Sequence, residues 1–302
     1  MTSDQCAALC QGRPAIGKAV EPMAADYALT SGSAVAARPI PSPDVLAMFG
    51  LGGQVSPMPG GYGRCVRVGD AVLKPVDDPD EAQWVAEVMN VLPCNGFRVA
   101  QPLRAVDGRW VAAGWSASRW LPGVTGSAGR WHEVLAVGRA FHRATASLPR
   151  PDFITSASHA YAIADRCAWD EQEAVALRTP VRYLVQRLSE RLRPVDAAAQ
   201  IVHGDMSENI LFAPGHAPAV IDFSPYWRPP AYADGIVIAD ALIWSDGLPE
   251  LIDNDQTYQM TLRAMIFRLI GMHELTASKD LSREATPFGP VVDMLTRSRR
   301  WR

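Results

Sequence analysis

The 302-residue chain is long enough to bury a sizeable core, either as one bilobal domain or as two domains. Hydrophobic residues make up 48% and charged residues 20%, as in ordinary globular proteins, and the formal net charge of −3 offers no basic surface to a nucleic-acid partner. No apolar run is long enough for a membrane span, the five cysteines form no CxxC pair, and the N-terminus does not resemble a secretory signal. We therefore expect a cytoplasmic protein with reduced thiols and no membrane partner.

The first segment, residues 1–40, is rich in Ala, Ser, Gly and Pro and lacks hydrophobic periodicity. This composition predicts a disordered N-terminal segment. Three prolines end it: Pro39, Pro41 and Pro43. Residues 44–49 then favour one or two helical turns before Gly50.

A glycine-rich turn lies between the next predicted strands. Its glycines are Gly60, Gly61 and Gly63, and the strands are expected at 54–58, 64–68 and 71–74. Because glycines let a backbone approach phosphates closely, the order predicts a nucleotide-covering hairpin followed by a strand that ends in Lys74. The glycines alone are explained better by an ordinary hairpin with a surface lysine, since such turns are common. Only the downstream motif described below favours the nucleotide interpretation.

Residues 79–92 have the pattern of a helix that follows this hairpin. Asp78 can cap it, Pro79 suits the first helical position, and the apolar stripe consists of Trp84, Val85, Val88 and Leu92. Glu81 lies on this stripe, whereas Glu87 lies off it. Strands at 97–104 and 109–118, around a turn at 107–108, complete an antiparallel sheet of about five strands.

From residue 130 the hydrophobic period becomes helical. The first helix should span about 16 residues and contains His142 among apolar neighbours, where a structural histidine is commoner than a catalytic one. Further helices are expected at 158–174, 180–192, 257–274 and 288–299. The rest of the chain is therefore mostly helical.

Residues 201–222 carry the most specific pattern. Short apolar runs at 201–202, 210–212 and 219–221 predict three strands, whose connections bring Asp205, Asn209 and Asp222 to nearby loops. Phosphoryl transfer needs one carboxylate to orient the acceptor hydroxyl, and an amide and a second carboxylate to hold Mg²⁺ on the nucleotide phosphates.

This pattern resembles the catalytic loop and metal motif of the aminoglycoside phosphotransferase-like family, a branch of the protein-kinase fold. The matching residues are His203-Gly204-Asp205, Asn209 and Ile221-Asp222-Phe223. The resemblance implies an α+β, bilobal protein-kinase-like fold with a small antiparallel-sheet N-lobe and a mostly helical C-lobe. We place the N-lobe at 41–121 and the C-lobe at 122–302.

The match departs from the family in two places. The family, like protein kinases, usually has the asparagine five residues after the aspartate, whereas Asn209 follows Asp205 by four. Many relatives have an acid after the aromatic residue of the metal motif, where this chain has Ser224. The continuation from Ser224 to Pro229 resembles an actinobacterial branch of the family.

The resemblance implies a role for each motif residue. Asp205 is the catalytic base, His203 supports the loop, and Asn209 and Asp222 hold Mg²⁺. Lys74 binds the ATP phosphates, and Glu81, as an inward helix carboxylate, is our expected partner for that lysine. The alternative for Glu81 is a favourable interaction with the helix dipole alone.

Three further features follow from the same resemblance. Residues 118–123 are the hinge, with Trp120 and Leu121 as candidate walls of the adenine pocket or as plain core. Asp240, the one acid in an apolar run, should start a helix and tie down the catalytic loop. The acids on the helix at 158–174 face either a cationic acceptor or solvent, and they are Asp165, Asp170, Glu171 and Glu173.

We therefore predict an ATP- and Mg²⁺-dependent transfer of the γ-phosphate to a hydroxyl of a small molecule. The alternative is a non-catalytic nucleotide-binding protein on the same fold. A serine hydrolase is excluded because the chain contains no GxSxG elbow. The pattern leaves open whether the acceptor is a sugar, an amino alcohol, a drug or a protein hydroxyl.

Overall fold

The computed structural model describes residues 39–58, 63–174, 176–245, 248–276 and 280–297. Most of the predicted disordered segment lies outside these residues, as do Gly60 and Gly61 of the predicted nucleotide turn.

Short strands and longer helices alternate along the described residues. The strands are β1 (Val55–Pro57), β2 (Val66–Val68), β3 (Ala71–Pro75), β4 (Arg98–Val99), β5 (Pro102–Leu103), β6 (Val111–Ala112), β7 (Trp115–Arg119), β8 (Gln200–His203), β9 (Ile210–Leu211), β10 (Ala219–Val220) and β11 (Pro225–Arg228). The helices are α1 (Pro43–Met48), α2 (Pro79–Val91), α3 (Trp131–Thr145), α4 (Phe153–Ser156), α5 (Ala160–Ala168), α6 (Val181–Ser189), α7 (Pro230–Trp244), α8 (Asp255–Leu275), α9 (Leu281–Ala285) and α10 (Phe288–Arg297).

The first half of the described chain forms a small lobe around an antiparallel sheet. Its strand order is β1-β2-β3-β7-β5, and β6 pairs with β7. Alternation sets which face is buried: Val66, Val68 and Leu73 point into the core, while Arg67 between them is half-buried. Lys74 follows Leu73 on β3 and therefore points away from this core.

Helix α2 packs beside this sheet, and its start follows the predicted capping. The Asp78 carboxylate accepts from the backbone N–H groups of Asp80 and Glu81, and Pro79 occupies the first helical position. The cap fixes Glu81 in the first turn of the helix.

The second half of the chain is a mostly helical large lobe. Its core includes large side chains that are almost fully buried: Phe141, Leu188, Ile201, Tyr232, Phe267 and Phe288. Helices α7 and α8 touch closely at Gly235, where a Cβ atom would lie 2.7 Å from the backbone of Met260. None of the helices in the described ranges is both long and apolar enough to cross a bilayer.

The segment predicted as one strand at 97–104 is two strands that belong to different sheets. β4 pairs in parallel with β10 of the large lobe, and only β5 joins the small-lobe sheet. The Arg98 side chain explains part of this difference, because its Nε donates to Ala217 O at 2.7 Å and holds β4 against the large lobe. The small-lobe sheet has six strands rather than about five, since the segment predicted as one strand at 109–118 forms two, β6 and β7.

Two helix predictions also needed correction. The helix predicted at 158–174 ends at Ala168, and Asp170 beyond it has a positive φ of 57°, which stops a right-handed helix. Asp240 lies near the end of α7 rather than at the start of a helix, because α7 already begins at Pro230. The predicted lobe boundary after residue 121 follows the last strand of the small-lobe sheet and stays a prediction.

Candidate active site

The predicted motif is assembled by the pairing of its own short strands. β9 and β10 are antiparallel, with Ile210 opposite Val220, and the Ile221 N–H donates to Asn209 O at 2.9 Å. Asn209 and Asp222 therefore lie next to each other at the ends of these strands. β8 pairs with β11 rather than with β9, and this pairing holds the loop from His203 onward in place.

His203 is buried and joins the two halves of the motif. Its Nδ1 accepts from the Asp205 N–H at 3.1 Å, and its Nε2 lies 3.3 Å from Ile221 O. Burial lowers the pKa of His203, although the Asp205 charge opposes this shift. A neutral ring that donates from Nε2 satisfies both contacts, so both ring nitrogens are engaged by the backbone.

His142 supports His203 from helix α3. Its Nε2 accepts from the His203 backbone N–H at 3.1 Å. Burial and the nearby His203 lower the pKa of His142 to about 3. His142 is therefore neutral at physiological pH, as an acceptor for a backbone N–H must be.

Asp205 and Asn209 contact each other directly. The Asn209 Nδ2 donates to Asp205 O at 2.7 Å and to Asp205 Oδ2 at 3.1 Å. The loop, one residue shorter than the family usually has, thus keeps the amide and the carboxylate together. The amide nitrogen is used in these bonds, which leaves the amide oxygen as the group that can meet a cation.

Asp205 has a second partner that the sequence did not indicate. Arg268, on α8, donates from Nη2 to Asp205 Oδ1 at 2.8 Å. The same guanidinium donates to Asp240, from Nε at 2.8 Å and from Nη2 at 2.7 Å. Ser207 of the loop also donates to Asp240, at 2.6 Å, so Asp240 ties down the loop through a hydroxyl and an arginine.

Lys74 pairs with Asp222, not with Glu81. Its Nζ donates to Asp222 Oδ1, and the two side chains are partly exposed. Burial lowers the pKa of Lys74, but the charge and hydrogen bond of Asp222 outweigh it, so the pKa lies above its ordinary value. The direct pair of Lys74 with Glu81 is not formed in this structure, where the ammonium donates to Asp222 instead, and Glu81 as a partner of Lys74 stays a prediction.

Glu81 nevertheless lies within electrostatic reach of Lys74. Burial, followed by the neighbouring Asp78 charge, raises the pKa of Glu81, and the Lys74 charge only partly opposes this. Glu81 also lines a cavity of about 360 Å³ between α5 and β11.

The remaining residues that were predicted to bind the nucleotide lie at the edges of the small lobe. Gly63 has a positive φ of 70°, a conformation that glycine adopts freely. The Trp120 N–H donates to Asp70 O at 2.8 Å, and the Arg67 guanidinium stacks 3.7 Å above the Trp120 ring. Leu121 follows as a partly buried residue. A role for these residues in adenine binding stays a prediction.

Two of the acids predicted to face an acceptor or solvent bond instead to one arginine of the chain, Arg228. Arg228 of β11 donates to both oxygens of Asp165, at 2.7 to 3.1 Å, and to both oxygens of Glu171, at 2.6 and 2.8 Å. Asp165 is buried, so the solvated-face interpretation is wrong for this residue. The single positive charge of Arg228 compensates half of the negative charge that these two acids would offer a cation.

The donor set around Asp222 suits a magnesium ion that is shared with phosphates. Among the residues that the structure describes, no cluster of three or more His, Cys, Asp or Glu side chains could hold a metal ion by itself. Mg²⁺ is commonly held by one or two carboxylates together with substrate phosphates, because it keeps an octahedral shell of oxygens. One carboxylate of Asp222 and one amide oxygen of Asn209 fit that arrangement.

Arg268 and Arg228 are site residues that sequence reasoning missed. Arg268 interrupts an apolar stretch of α8, from Ala264 to Ile270, as the one charged residue. A lone charge in a buried helix needs a partner, so this pattern was a usable signal. Arg228 had no comparable signal, since its partners are distant in the chain.

Three solved structures that are similar to this chain are described as small-molecule kinases or phosphotransferases. A microcompartment-associated aminopropanol kinase is 14% identical, with 84% of this chain and 95% of that chain covered and a TM-score of 0.61. A ternary complex of a thermostable mutant of aminoglycoside phosphotransferase APH(4)-Ia with ADP and hygromycin B is 18% identical, with 85% and 98% covered and a TM-score of 0.58. Choline kinase LicA from Streptococcus pneumoniae is 13% identical, with 81% and 94% covered and a TM-score of 0.54.

These likenesses confirm the predicted α+β, bilobal kinase-like fold. No curated protein sequence matches the chain. The family model described as the phosphotransferase enzyme family matches residues 57–259, more than half of the 302 residues. That stretch includes Lys74, the catalytic loop and the metal motif, and so the chain belongs to the phosphotransferase enzyme family.

Proposed function

We propose that this protein transfers the γ-phosphoryl group of Mg²⁺-bound ATP to a hydroxyl group of a small molecule. The observation that carries the proposal is the convergence of four residues. Lys74 bonds to Asp222, Asn209 bonds to Asp205, and the Ile221 N–H, adjacent to Asp222, donates to Asn209 O, although Lys74 and Asp222 lie 148 positions apart in the chain. The family assignment and the small-molecule kinases among the structural neighbours support the same reaction class.

In the proposed reaction each contact has a task. Asp205 presents Oδ2 to the acceptor hydroxyl, orients it for in-line attack and takes its proton as the new O–P bond forms. Lys74 binds the phosphates and neutralises part of their charge. Asn209, through its amide oxygen, and Asp222 hold Mg²⁺, which when bound supplies further charge neutralisation and orients the phosphates. Transfer releases ADP and the phosphorylated acceptor.

His203 acts in this proposal through the backbone. Its ring joins the Asp205 N–H to Ile221 O, so it fixes the base relative to the metal motif. Both ring nitrogens are already bonded, and burial lowers its pKa, so His203 is a positioning residue rather than a proton carrier.

The spacing of Asp205 and Asn209 has a parallel among the neighbours. Two ternary complexes of APH(4)-Ia with hygromycin B are described with an aspartate-to-alanine and an asparagine-to-alanine substitution at positions four apart. Asp205 and Asn209 are also four apart. This agreement supports an active loop despite its departure from the usual spacing of five.

The test combines nucleotide binding with an acceptor screen. Thermal stabilisation by ATP, with and without Mg²⁺, is measured first, because a ligand that binds only the folded state raises its melting temperature. A panel of hydroxylated compounds then follows, including the amino alcohols and aminoglycosides that the neighbours' descriptions name, with ADP release as the readout. We expect Mg²⁺-dependent stabilisation by ATP and turnover with at least one acceptor.

Asp205→Asn provides the matched control. It should bind Mg²⁺–ATP like the wild type but lose turnover by a factor of about 100 or more, since general base catalysis contributes on this scale. ATP binding without any Asp205-dependent turnover would indicate the non-catalytic alternative, and no nucleotide binding at all would refute both functions.

A further inference from the structure

Arg268 is held in place independently of Asp205. Its Nε and Nη2 both donate to the buried carboxylate of Asp240, and its guanidinium lies 5.4 Å from the ring of Phe267 and 5.9 Å from the ring of Tyr161. Gly271, one turn further along α8, has no side chain, and this leaves room for the Tyr161 ring on the helix surface. Only 14% of the Arg268 side chain is exposed. The guanidinium is therefore preorganised before any substrate binds.

From this fixed position Arg268 reaches one particular oxygen of the catalytic loop. Its Nη2 donates to Asp205 Oδ1, while Asn209 donates to Oδ2. An aspartate side chain that is 47% exposed would otherwise rotate among several rotamers. Each oxygen thus has one partner, and Oδ2, whose bond to Asn209 is the longer at 3.1 Å, keeps a lone pair that can face an incoming hydroxyl.

We propose that Arg268 is a positioning residue for phosphoryl transfer, which fixes the Asp205 carboxylate in its reactive orientation through a guanidinium anchored on Asp240. This inference rests on the proposed function. It adds that the active orientation of the base depends on a residue of α8, 63 positions after Asp205 and outside both sequence motifs.

A purely structural role would have different consequences. Asp240 already anchors the loop through Ser207, so the loop retains one tie to α7 when Arg268 is changed. Loss of the Asp205 contact should therefore affect the chemical step more than nucleotide binding, because Lys74 and Asp222 are not partners of Arg268. Misplacement of a reacting group by about 1 Å can cost a factor of about 100 in rate.

The experiment compares Arg268→Gln and Arg268→Lys with the wild type. For each protein, the Kd of Mg²⁺–ATP is measured by calorimetry, and kcat and KM are measured with the acceptor from the screen or with water as the acceptor. We expect Arg268→Gln to retain its ATP affinity within about twofold and to lose at least about tenfold in kcat. Arg268→Lys should recover part of that loss, since an ammonium can still donate to Asp205 Oδ1.

Arg263→Gln is the control, on the same helix. Arg263 is also buried, but it donates to the backbone carbonyls of Ala168 and Arg193 and not to the catalytic loop. It should lower the melting temperature while leaving kcat per folded molecule unchanged. An equal loss of kcat in both arginine variants, or wild-type kcat in Arg268→Gln, would overturn the inference.

A second variant covers the case in which Arg268→Gln does not fold. Arg268→Gln with Asp240→Asn removes both buried charges together and leaves amides that can bond to each other. It should fold and still show the low kcat; a normal kcat in this double variant would equally overturn the inference.

If the wild type binds Mg²⁺–ATP but transfers phosphate to no acceptor and not to water, the proposed function fails, and the role of Arg268 fails with it. An active wild type with an unaffected Arg268→Gln rejects the role of Arg268 alone.

Discussion

Lys74 donates to the carboxylate of Asp222, which follows it by 148 positions in the chain. One residue lies on β3 of the small lobe and the other directly after β10 of the large lobe. This contact joins the predicted phosphate-binding group to the predicted metal ligand. Because both side chains are partly exposed, the ion pair contributes little to stability, on the order of 1 kcal/mol or less. The effects of changing either residue should therefore appear in ligand binding.

Lys74→Met should weaken binding of the triphosphate. The ammonium is charged at neutral pH, since its pKa is raised by Asp222, and its loss removes a direct phosphate contact. We expect the Kd of Mg²⁺–ATP to rise at least about tenfold, with a smaller effect on AMP, which lacks the outer phosphates. Calorimetry with both nucleotides measures the difference. Arg104→Met, on the same lobe, is the control, and equal losses for ATP and AMP would contradict the phosphate role.

Two substitutions of Asp222 can separate the role of its left-handed backbone in stability from the role of its carboxylate in Mg²⁺ binding. Its φ is +49°, a left-handed conformation that asparagine adopts more readily than alanine. Asp222→Asn should remove the Mg²⁺ dependence of ATP stabilisation while keeping the melting temperature of the free protein. Asp222→Ala should also remove the Mg²⁺ dependence, and it should in addition lower the melting temperature of the free protein, because the left-handed backbone costs alanine about 1–2 kcal/mol of unfolding free energy. Differential scanning fluorimetry with ATP, in the presence and absence of Mg²⁺, separates these effects; persistent Mg²⁺ dependence in Asp222→Asn would exclude this carboxylate as a ligand.

Gly204 should not tolerate a side chain. A Cβ atom there would overlap the ring of Tyr226, which packs against the loop from β11. We expect Gly204→Ala to reduce the free energy of unfolding by about 1–3 kcal/mol, as overpacking does in other cores, and to reduce turnover. Urea denaturation measures the first effect.

The same experiment has two internal checks. Gly138→Ala places a methyl group 3.5 Å from Met206 Cε, an ordinary contact, and should be neutral or stabilising because alanine favours helices by about 1 kcal/mol. Adding Tyr226→Leu to Gly204→Ala should cost less than the sum of the two single changes. Strict additivity would show that the predicted overlap is relieved by other movements.

The buried His142 predicts a specific loss of stability in acid. Its pKa is about 3 in the folded protein, below the ordinary value of 6.5. Between these values the unfolded chain binds a proton that the folded protein does not, so stability falls as the pH is lowered from 6.5 towards 3. Each pH unit should cost about 1.4 kcal/mol from this group.

Urea denaturation at pH 6.5, 5.5 and 4.5 tests this expectation. His142→Gln removes the titrating group. The free energy of unfolding of this variant should therefore fall less steeply as the pH is lowered, with a slope smaller than that of the wild type by about 1.4 kcal/mol per pH unit. His203 is present in both proteins, so its own titration contributes to both slopes. His132→Gln changes an exposed histidine of the same helix and is the matched control; equal slopes in wild type and His142→Gln would show that His142 does not titrate in this way.

Contacts between residues that are close in the chain could be predicted from the sequence, because they depend on local patterns. Asp205 and Asn209 are four residues apart, and short β-branched runs on either side predict the loop that joins them. Asp78 and Pro79 predict the start of α2 because capping depends on neighbouring residues. The isolated acid at Asp240 predicted a buried partner, and the structure provides two.

Other relationships depend on which distant elements touch. Glu81 has the right position on its helix to face Lys74, yet the lysine meets Asp222 because the two lobes bring that carboxylate closer. Arg268 and Asp240 each interrupt an apolar stretch of their helix, but only the packing of α7 against α8 makes them partners. β4 leaves the small-lobe sheet because its backbone finds a partner strand in the large lobe.

The sequence by itself therefore determined the family, the alternation of strands and helices, and the local loop that brings Asp205 and Asn209 together, since these follow from short-range patterns of residue type. The tertiary structure alone decided the partners: which acid bonds to Lys74, which cation bonds to Asp165, and which guanidinium bonds to Asp205. Periodicity specifies which face of an element is buried but not which element covers it, so pairing between distant charges is decided only when the lobes pack.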